Sequence, residues 1–436
     1  MGSGDFWVNQ IIPLPYWIGL IVLVSLGVLM IPHLEEKRFR YALVSTAILV
    51  IITVRMAFPI IFTSIPSYEP DTSSYMNAVS TWINSGLNLG VSGLYQHDFP
   101  LSFLIAYFFI KLGVSIDTFW RAAPFAVYIF DLLLIYLIIK ELAPDRPKLA
   151  PISVFLFSFS SLGAWVSVHY CPDLVGSLFF LLCLYLTIKF NTARKWTFNN
   201  LSILIVCTVL LVLAHHLSTL YFIASVIGLA VASQFFKTKP LGEPIGLFLI
   251  GIFTYTFWFV YGNLMYNAFF NISNYFTNYG GYTSQIAQGT PLMIIGEYLT
   301  YPVFIIILTL FGFLELLKIT NVRQIAKHIR DFKQPFEKLR SLKLKITDKI
   351  LIYNAGMILN FLVFILGFAV SVVFNDRIME ILFVGFYPLA SLTVLKFSGV
   401  QLSKKRLALL IILFTLIALI DTTRYYSSMQ RRILFG

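Results

Sequence analysis

The sequence predicts an all-α polytopic membrane protein, with about twelve transmembrane helices and further interfacial helices in one large outer loop. Three observations lead there. Of 436 residues, 58% are hydrophobic and only 12% are charged, with a mean hydropathy of +0.83; a soluble domain carries about 25% charged residues. The apolar residues fall in runs of about 17–25, the length that crosses a bilayer as a helix. The 32 Lys and Arg, which bring the net charge to +12, gather in alternate connections between those runs. That distribution marks membrane topology, so the basic balance needs no nucleic-acid partner.

In chain order the spanning runs are 11–32, 41–62, 120–140, 148–166, 174–190, 200–216, 217–236, 245–262, 291–317, 350–374, 378–397 and 407–420. The first lacks a basic leader and a small-residue cleavage site, so it is read as a retained span. Run 99–110, FPLSFLIAYFFI, is too short to cross and is read as interfacial. With that run in the interface, 25 of the 32 basic residues fall on one face, in segments 33–40, 140–148, 189–195, 237–239, 318–349 and 396–406. The positive-inside rule makes that face cytoplasmic and leaves both termini outside. With Glu243 counted in the connection that holds 237–239, these segments sum to +17, and everything else to −5. Segment 318–349, with ten basic residues, suits the surface of anionic lipid. Two of the three cysteines (Cys171, Cys183 and Cys207) lie inside apolar runs, so no disulfide framework is expected. No inverted repeat of the transporter kind is visible.

The outer segments hold the residues that can carry chemistry. Loop 63–119 opens with Glu69-Pro70-Asp71, followed by Tyr75. Two carboxylates one residue apart can share a cation or act as base and charge stabiliser, while the plainer role for Asp71 is to cap a helix starting at Thr72. The same choice holds for Asp173, beside His169 at the mouth of a span. His97-Asp98 belongs to the same loop as Asp71, as an interfacial turn or a substrate contact. His215-His216 ends one run and begins the next; one ring is expected to pack or cap and the other to line a cavity. Arg377 follows Asn375-Asp376 in a very short connection. Its planar fork suits phosphate, or it pairs locally with Asp376 or Glu380. Arg55 and Asp131, deep in spans, are expected to neutralise each other. Loop 263–290 is dense in Tyr, Phe, Asn and Gly, including Tyr275, Tyr279, Gly280, Gly281 and Tyr282. Walker A, Cys-x-x-Cys, His-Glu-x-x-His and Gly-x-Ser-x-Gly motifs are absent. Neither nucleotide nor haem is expected, and a donor at the outer face must come from the membrane itself.

This pattern resembles the GT-C superfamily of integral-membrane glycosyltransferases. The resemblance is carried by span 41–62, Glu69-Pro70-Asp71 with Tyr75, and His97-Asp98-Phe99-Pro100-Leu101, which is similar to the His-Pro-Pro-Leu opening of an interfacial helix. Arg121-Ala122-Ala123-Pro124, the basic connection 140–148 and Asp173 follow in order. Phe99 replaces the first proline, no Trp-Trp-Asp sequence occurs, and no large soluble C-terminal domain is expected. Residues 1–40 are then an extra N-terminal transmembrane helix, 41–190 the GT-C-like core, and 191–436 the remaining bundle. The resemblance implies an inverting sugar transfer from a polyprenyl-phosphate donor to a glycan, lipid or protein acceptor on the extracytoplasmic side of the cell membrane. It implies Asp71 as general base or as ligand, with Asp173, of a divalent cation (Mg or Mn). It implies Glu69, Asp173 and His169 as orienting groups, Arg377 and His216 on the leaving phosphate, and Tyr279 or Tyr282 stacked on sugar. His97 and Tyr75 fall in the same substrate region. Two other readings stay open: a transporter or flippase of lipid-linked glycan, and a non-catalytic lipid-binding scaffold.

Overall fold

The computed structural model describes residues 14–61, 70–87, 100–158, 170–235, 241–265, 304–315, 349–370, 384–398 and 405–419. Every regular element among the described residues is a helix. In chain order these are α1 (Leu14–Met30, ending in a 3-10 turn at Ile31–His33), α2 (Lys37–Ile61), α3 (Pro70–Ser85), α4 (Pro100–Lys111), α5 (Ile116–Leu142), α6 (Leu149–Phe157), α7 (Pro172–Ala193), α8 (Phe198–Ala214), α9 (His216–Phe235), α10 (Pro244–Met265), α11 (Phe304–Glu315), α12 (Lys349–Val370), α13 (Tyr387–Phe397) and α14 (405–419).

Local chemistry explains many starts. Pro70, Pro100, Pro172 and Pro244 each occupy the first helical position, where the missing N–H has no intrahelical partner and the fixed φ suits a helix. Helix α5 begins differently: the Ser115 hydroxyl accepts the Thr118 N–H at 3.1 Å, and Asp117 and Lys140 complement the dipole at its two ends.

Five described helices are long and apolar enough to cross a membrane, over Leu14–His33, Ile116–Leu142, Pro172–Ala193, His216–Gln234 and Pro244–Tyr261. Helix α4, with 12 residues, reaches about 18 Å and falls short of a hydrocarbon core of about 30 Å. The run expected to lie in the interface is therefore a discrete short helix.

The bundle has two distinct ends. At one, Lys148 pairs with Glu35, and the Lys349 ammonium donates to the Glu141 carbonyl at 3.3 Å. This brings together connection 33–40, connection 140–148 and the start of α12, three of the segments that sequence assigns to one face. Lys396 pairs with Glu315 where α11 and α13 end. The opposite end gathers the starts of α5 and α7, the junction of α8 and α9, and both short helices α3 and α4.

Between the ends, small residues set the closest helix approaches. A Cβ added at Gly356 of α12 would stand 2.7–2.8 Å from the side chain, Cα and N of Leu229 in α9. Nearby, the Asn360 amide donates to the Ser225 hydroxyl at 2.6 Å. Ser153 and Ser391 meet at 2.7 Å, and the Thr393 hydroxyl donates to the Leu308 carbonyl at 2.5 Å. Close backbones and buried hydrogen bonds are the adhesives available where lipid is as apolar as leucine.

Gly356→Ala gains about 0.5–1 kcal/mol of helix propensity but overpacks a contact whose nearest atoms include backbone, at a cost of about 1–3 kcal/mol. Overpacking wins, so the thermal midpoint in detergent falls. Gly19→Ala, with nothing within 4 Å of the added Cβ, leaves the midpoint unchanged or raises it.

Candidate functional site

An aromatic platform closes the end of the bundle away from the Glu35–Lys148 pair. Trp82 of α3, Phe103 of α4, Phe119 and Trp120 of α5, and Tyr170 with Cys171 ahead of α7 are all buried in one cluster, which also takes in Leu174 of α7 and Ala214 of α8. Tyr170 is its pin. Its ring meets those of Phe119 and Trp120 edge-on at centroid distances of 4.7 and 5.5 Å, and its hydroxyl donates to the Ser102 carbonyl at 2.7 Å. Burial, and then the charge of a Cys171 thiolate, push the Tyr170 phenol well above its ordinary pKa, so it stays a donor at physiological pH.

The two short helices face different surroundings. The outward positions of α3 are polar: Asn77, Thr81, Asn84 and Ser85 are exposed. Those of α4 are apolar, with Phe108, Phe109 and Leu112 exposed. Lys111 lies among them and donates back to the Ile83 carbonyl at 3.4 Å. Apolar flanks around a Lys with a long stem match a membrane interface; the α3 face matches water.

Beside this platform stands an acid–imidazole pair. Asp173 is the second residue of α7, behind Pro172, in the first turn where the helix dipole favours a carboxylate. Its Oδ1 lies 2.6 Å from Nε2 of His215, and the two side chains are 11% and 3% exposed. His215 occupies the single extended position between α8 and α9, with φ −165° and ψ 127°. Its N–H donates to the Leu211 carbonyl and its carbonyl accepts the Thr219 N–H. Its ring Nδ1 accepts the Ser218 N–H at 3.3 Å and lies 3.0 Å from the Ser218 hydroxyl. His216 packs alongside, ring centroids 4.9 Å apart. One turn further along α7, on the same face as Asp173, the Ser177 hydroxyl donates to Asp131 Oδ2 at 2.9 Å. Asp131 is 1% exposed.

Two local expectations change. Asp173 does not cap α7, because Pro172 takes the first helical position and moves the cap back to Cys171, which makes no side-chain capping bond. The carboxylate is thereby released to pair across helices. Likewise α3 begins at Pro70, so Asp71 lies in its first turn and does not precede the helix. The division of labour in the His215-His216 pair also differs: the capping ring, His215, is the one that reaches the acid. Reading the residues one by one separated capping from chemistry; the buried corner between α8 and α9 joins them. The usable signal was a break between two apolar runs, with histidine at the break and serine three residues on.

Tyr75 is half-buried against Phe103, centroids 5.5 Å apart. Asp71 stands one turn before it on the same face of α3, the helix whose Trp82 lies in the cluster with Leu174 beside Asp173. The Asp71 and Arg55 side chains, and Glu69, His97, His169, Tyr279, Tyr282 and Arg377, lie outside the described residues, so the expected Arg55–Asp131 pair does too. Arg121 pairs with Asp117 at 2.9 Å on the exposed start of α5. Among the described residues no group of three or more His, Cys, Asp or Glu is arranged to hold a metal ion. All three cysteines are buried thiols.

No protein-family model matches the chain, and no curated protein matches it in sequence. Function therefore has to be argued from the site.

A labelling experiment tests the two-faced platform. In open membrane fragments, a water-soluble maleimide labels Asn77→Cys rapidly and Phe108→Cys at least tenfold more slowly, and the buried native cysteines contribute little background. Equal rates at the two positions would remove the distinction between a water face and a lipid face.

Proposed function

We propose that this protein is a membrane glycosyltransferase of the GT-C kind. It moves a sugar from a polyprenyl-phosphate donor to an acceptor hydroxyl at the extracytoplasmic face. The observation that carries the reading is one aromatic platform that joins α3, the helix that begins with Pro70-Asp71, to the helix bearing the Asp173–His215 pair. That platform lies at the end opposite the Glu35–Lys148 pair, whose side carries most of the basic residues that the positive-inside rule keeps in the cytoplasm. The layout that accompanies this reading has twelve spans, with both termini and loops 63–119 and 263–290 outside.

Asp71 takes the proton from the acceptor hydroxyl as its oxygen attacks the anomeric carbon. The bond from that carbon to the phosphate oxygen breaks, the electron pair leaves with polyprenyl phosphate, and the configuration inverts. Arg377 and His216 act on the growing phosphate charge. Asp173 orients the acceptor, a role shared with Glu69 and His169. In the alternative role of Asp71, as ligand in place of base, Asp71 and Asp173 would hold a divalent cation through carboxylate oxygens, and it would supply Lewis-acid stabilisation of the leaving phosphate. Tyr75, His97, Tyr279 and Tyr282 line the path of the sugar and acceptor.

The decisive assay is transfer of radiolabelled sugar from a polyprenyl phosphate by purified protein in lipid. Asp71→Asn preserves shape and removes the base, so transfer falls by at least about 100-fold, the lower range of general-base effects. Wild-type transfer by Asp71→Asn would overturn the base assignment. Wild-type protein that transfers nothing yet moves lipid-linked sugar between leaflets is a flippase, and one that only binds the lipid is a scaffold.

A further inference from the structure

The Asp173–His215 pair has a feature that neither ion pairing nor helix capping alone requires: every atom that sets the imidazole's orientation is fixed by a separate constraint. The Ser218 N–H points at Nδ1. An amide donor can meet only an unprotonated ring nitrogen, so the hydrogen of the neutral ring is on Nε2, the atom 2.6 Å from Asp173. The backbone on both sides of His215 is tied, its N–H to Leu211 and its carbonyl to the Thr219 N–H and hydroxyl. The approach of α7 is set by Gly176, where an added Cβ would stand 2.6 Å from both His215 Cβ and Ser218 Oγ. Gly176 lies three residues beyond Asp173, so the clearance and the carboxylate belong to one turn of helix.

We propose that His215 is the positioning residue of Asp173: as the neutral Nε2–H tautomer, it donates to Oδ1 and holds the carboxylate in one orientation at the active end of the bundle. Gly176 supplies the room for that contact. The assignment of a tautomer and a pairing stands on the geometry alone; its consequence for catalysis rests on Asp173 belonging to the active site proposed above. In rigid sites, removing a residue that orients a functional group costs about 10–100-fold in activity, while the reacting groups themselves remain.

Two measurements separate the pairing from the reaction. The first is independent of activity. With histidine ¹⁵N-labelled protein, which has six histidines, the His215 signals are those lost in His215→Gln. The expected pattern is an unprotonated Nδ1 and a protonated Nε2, with the Nε2 resonance moving in Asp173→Asn. A protonated Nδ1, or an Nε2 indifferent to Asp173→Asn, overturns the proposal.

The second uses sugar transfer. His215→Ala lowers kcat about 10–100-fold with KM within about twofold. His215→Gln, whose amide N–H comes near the position of Nε2, recovers part of that loss. In an Asp173→Ala background, His215→Ala costs nothing further. Full additivity of the two substitutions, or wild-type kcat in folded His215→Ala, overturns the positioning role. If His215→Ala does not fold, the same comparison is made between His215→Gln and His215→Leu, and equal rates for these two overturn it. Absence of transfer by the wild type sinks the proposed function and leaves the ¹⁵N result to decide the pairing.

Discussion

Helices in a bilayer cannot be held together by expelling water from between them, since the lipid that each contact replaces is as apolar as the side chains. The bundle meets this constraint with close backbones and buried polar links. Gly356 lets α12 settle onto the backbone of α9, and Asn360 hydrogen-bonds to Ser225 across the same seam. Ser153 meets Ser391, Thr393 reaches the Leu308 carbonyl, and Ser177 reaches Asp131. Each link is specific in a way that hydrophobic packing is not, because a shift of register would leave a polar group without its partner in a medium that offers no substitute.

The same constraint explains how polar groups are distributed. Ion pairs such as Glu35–Lys148 and Glu315–Lys396 stand where helices end and retain substantial exposure, so they cost little desolvation and contribute little stability. The Asp173–His215 pair is the exception, with both side chains largely buried. Burying a charge is worthwhile only with good geometry and further hydrogen bonds; here the ring's second nitrogen is also satisfied. A buried carboxylate met by a ring whose other nitrogen is also bonded, at the end opposite the Glu35–Lys148 pair, sets this corner apart from the exposed ion pairs.

Much of the fold was legible in the sequence because membrane helices announce themselves by length and by the placement of lysine and arginine. Run 99–110, ambiguous by length, was assigned to the interface from the distribution of lysine and arginine, and the structure shows a helix of 12 residues at Pro100–Lys111, too short to span. Pro70, Pro100, Pro172 and Pro244 each open a helix, a start signal that the expectation of a helix beginning at Thr72 passed over. What was not legible was lateral: nothing in the local pattern says that His215, rather than His216, turns toward Asp173. That choice depends on the extended φ and ψ of His215 and on Gly176, 39 residues earlier in the chain, giving α7 room to approach. Asp173 itself was found, and of the two roles left open for it capping falls away because Pro172 displaces the cap to Cys171.

The divided surroundings of α3 and α4 bear on how reactants would meet. A helix that presents asparagine and threonine outward, joined through Trp82 and Phe103 to one that presents phenylalanine and leucine, is a boundary between two solvents built from a single loop. Reagents of opposite solubility would arrive from different phases: a long-chain lipid diffusing in two dimensions within the leaflet, a polar acceptor from the aqueous volume. Confinement to the leaflet concentrates the lipid without any increase in its intrinsic affinity. Binding energy that would otherwise serve capture then remains for orientation, and the two reagents need not compete for one entrance.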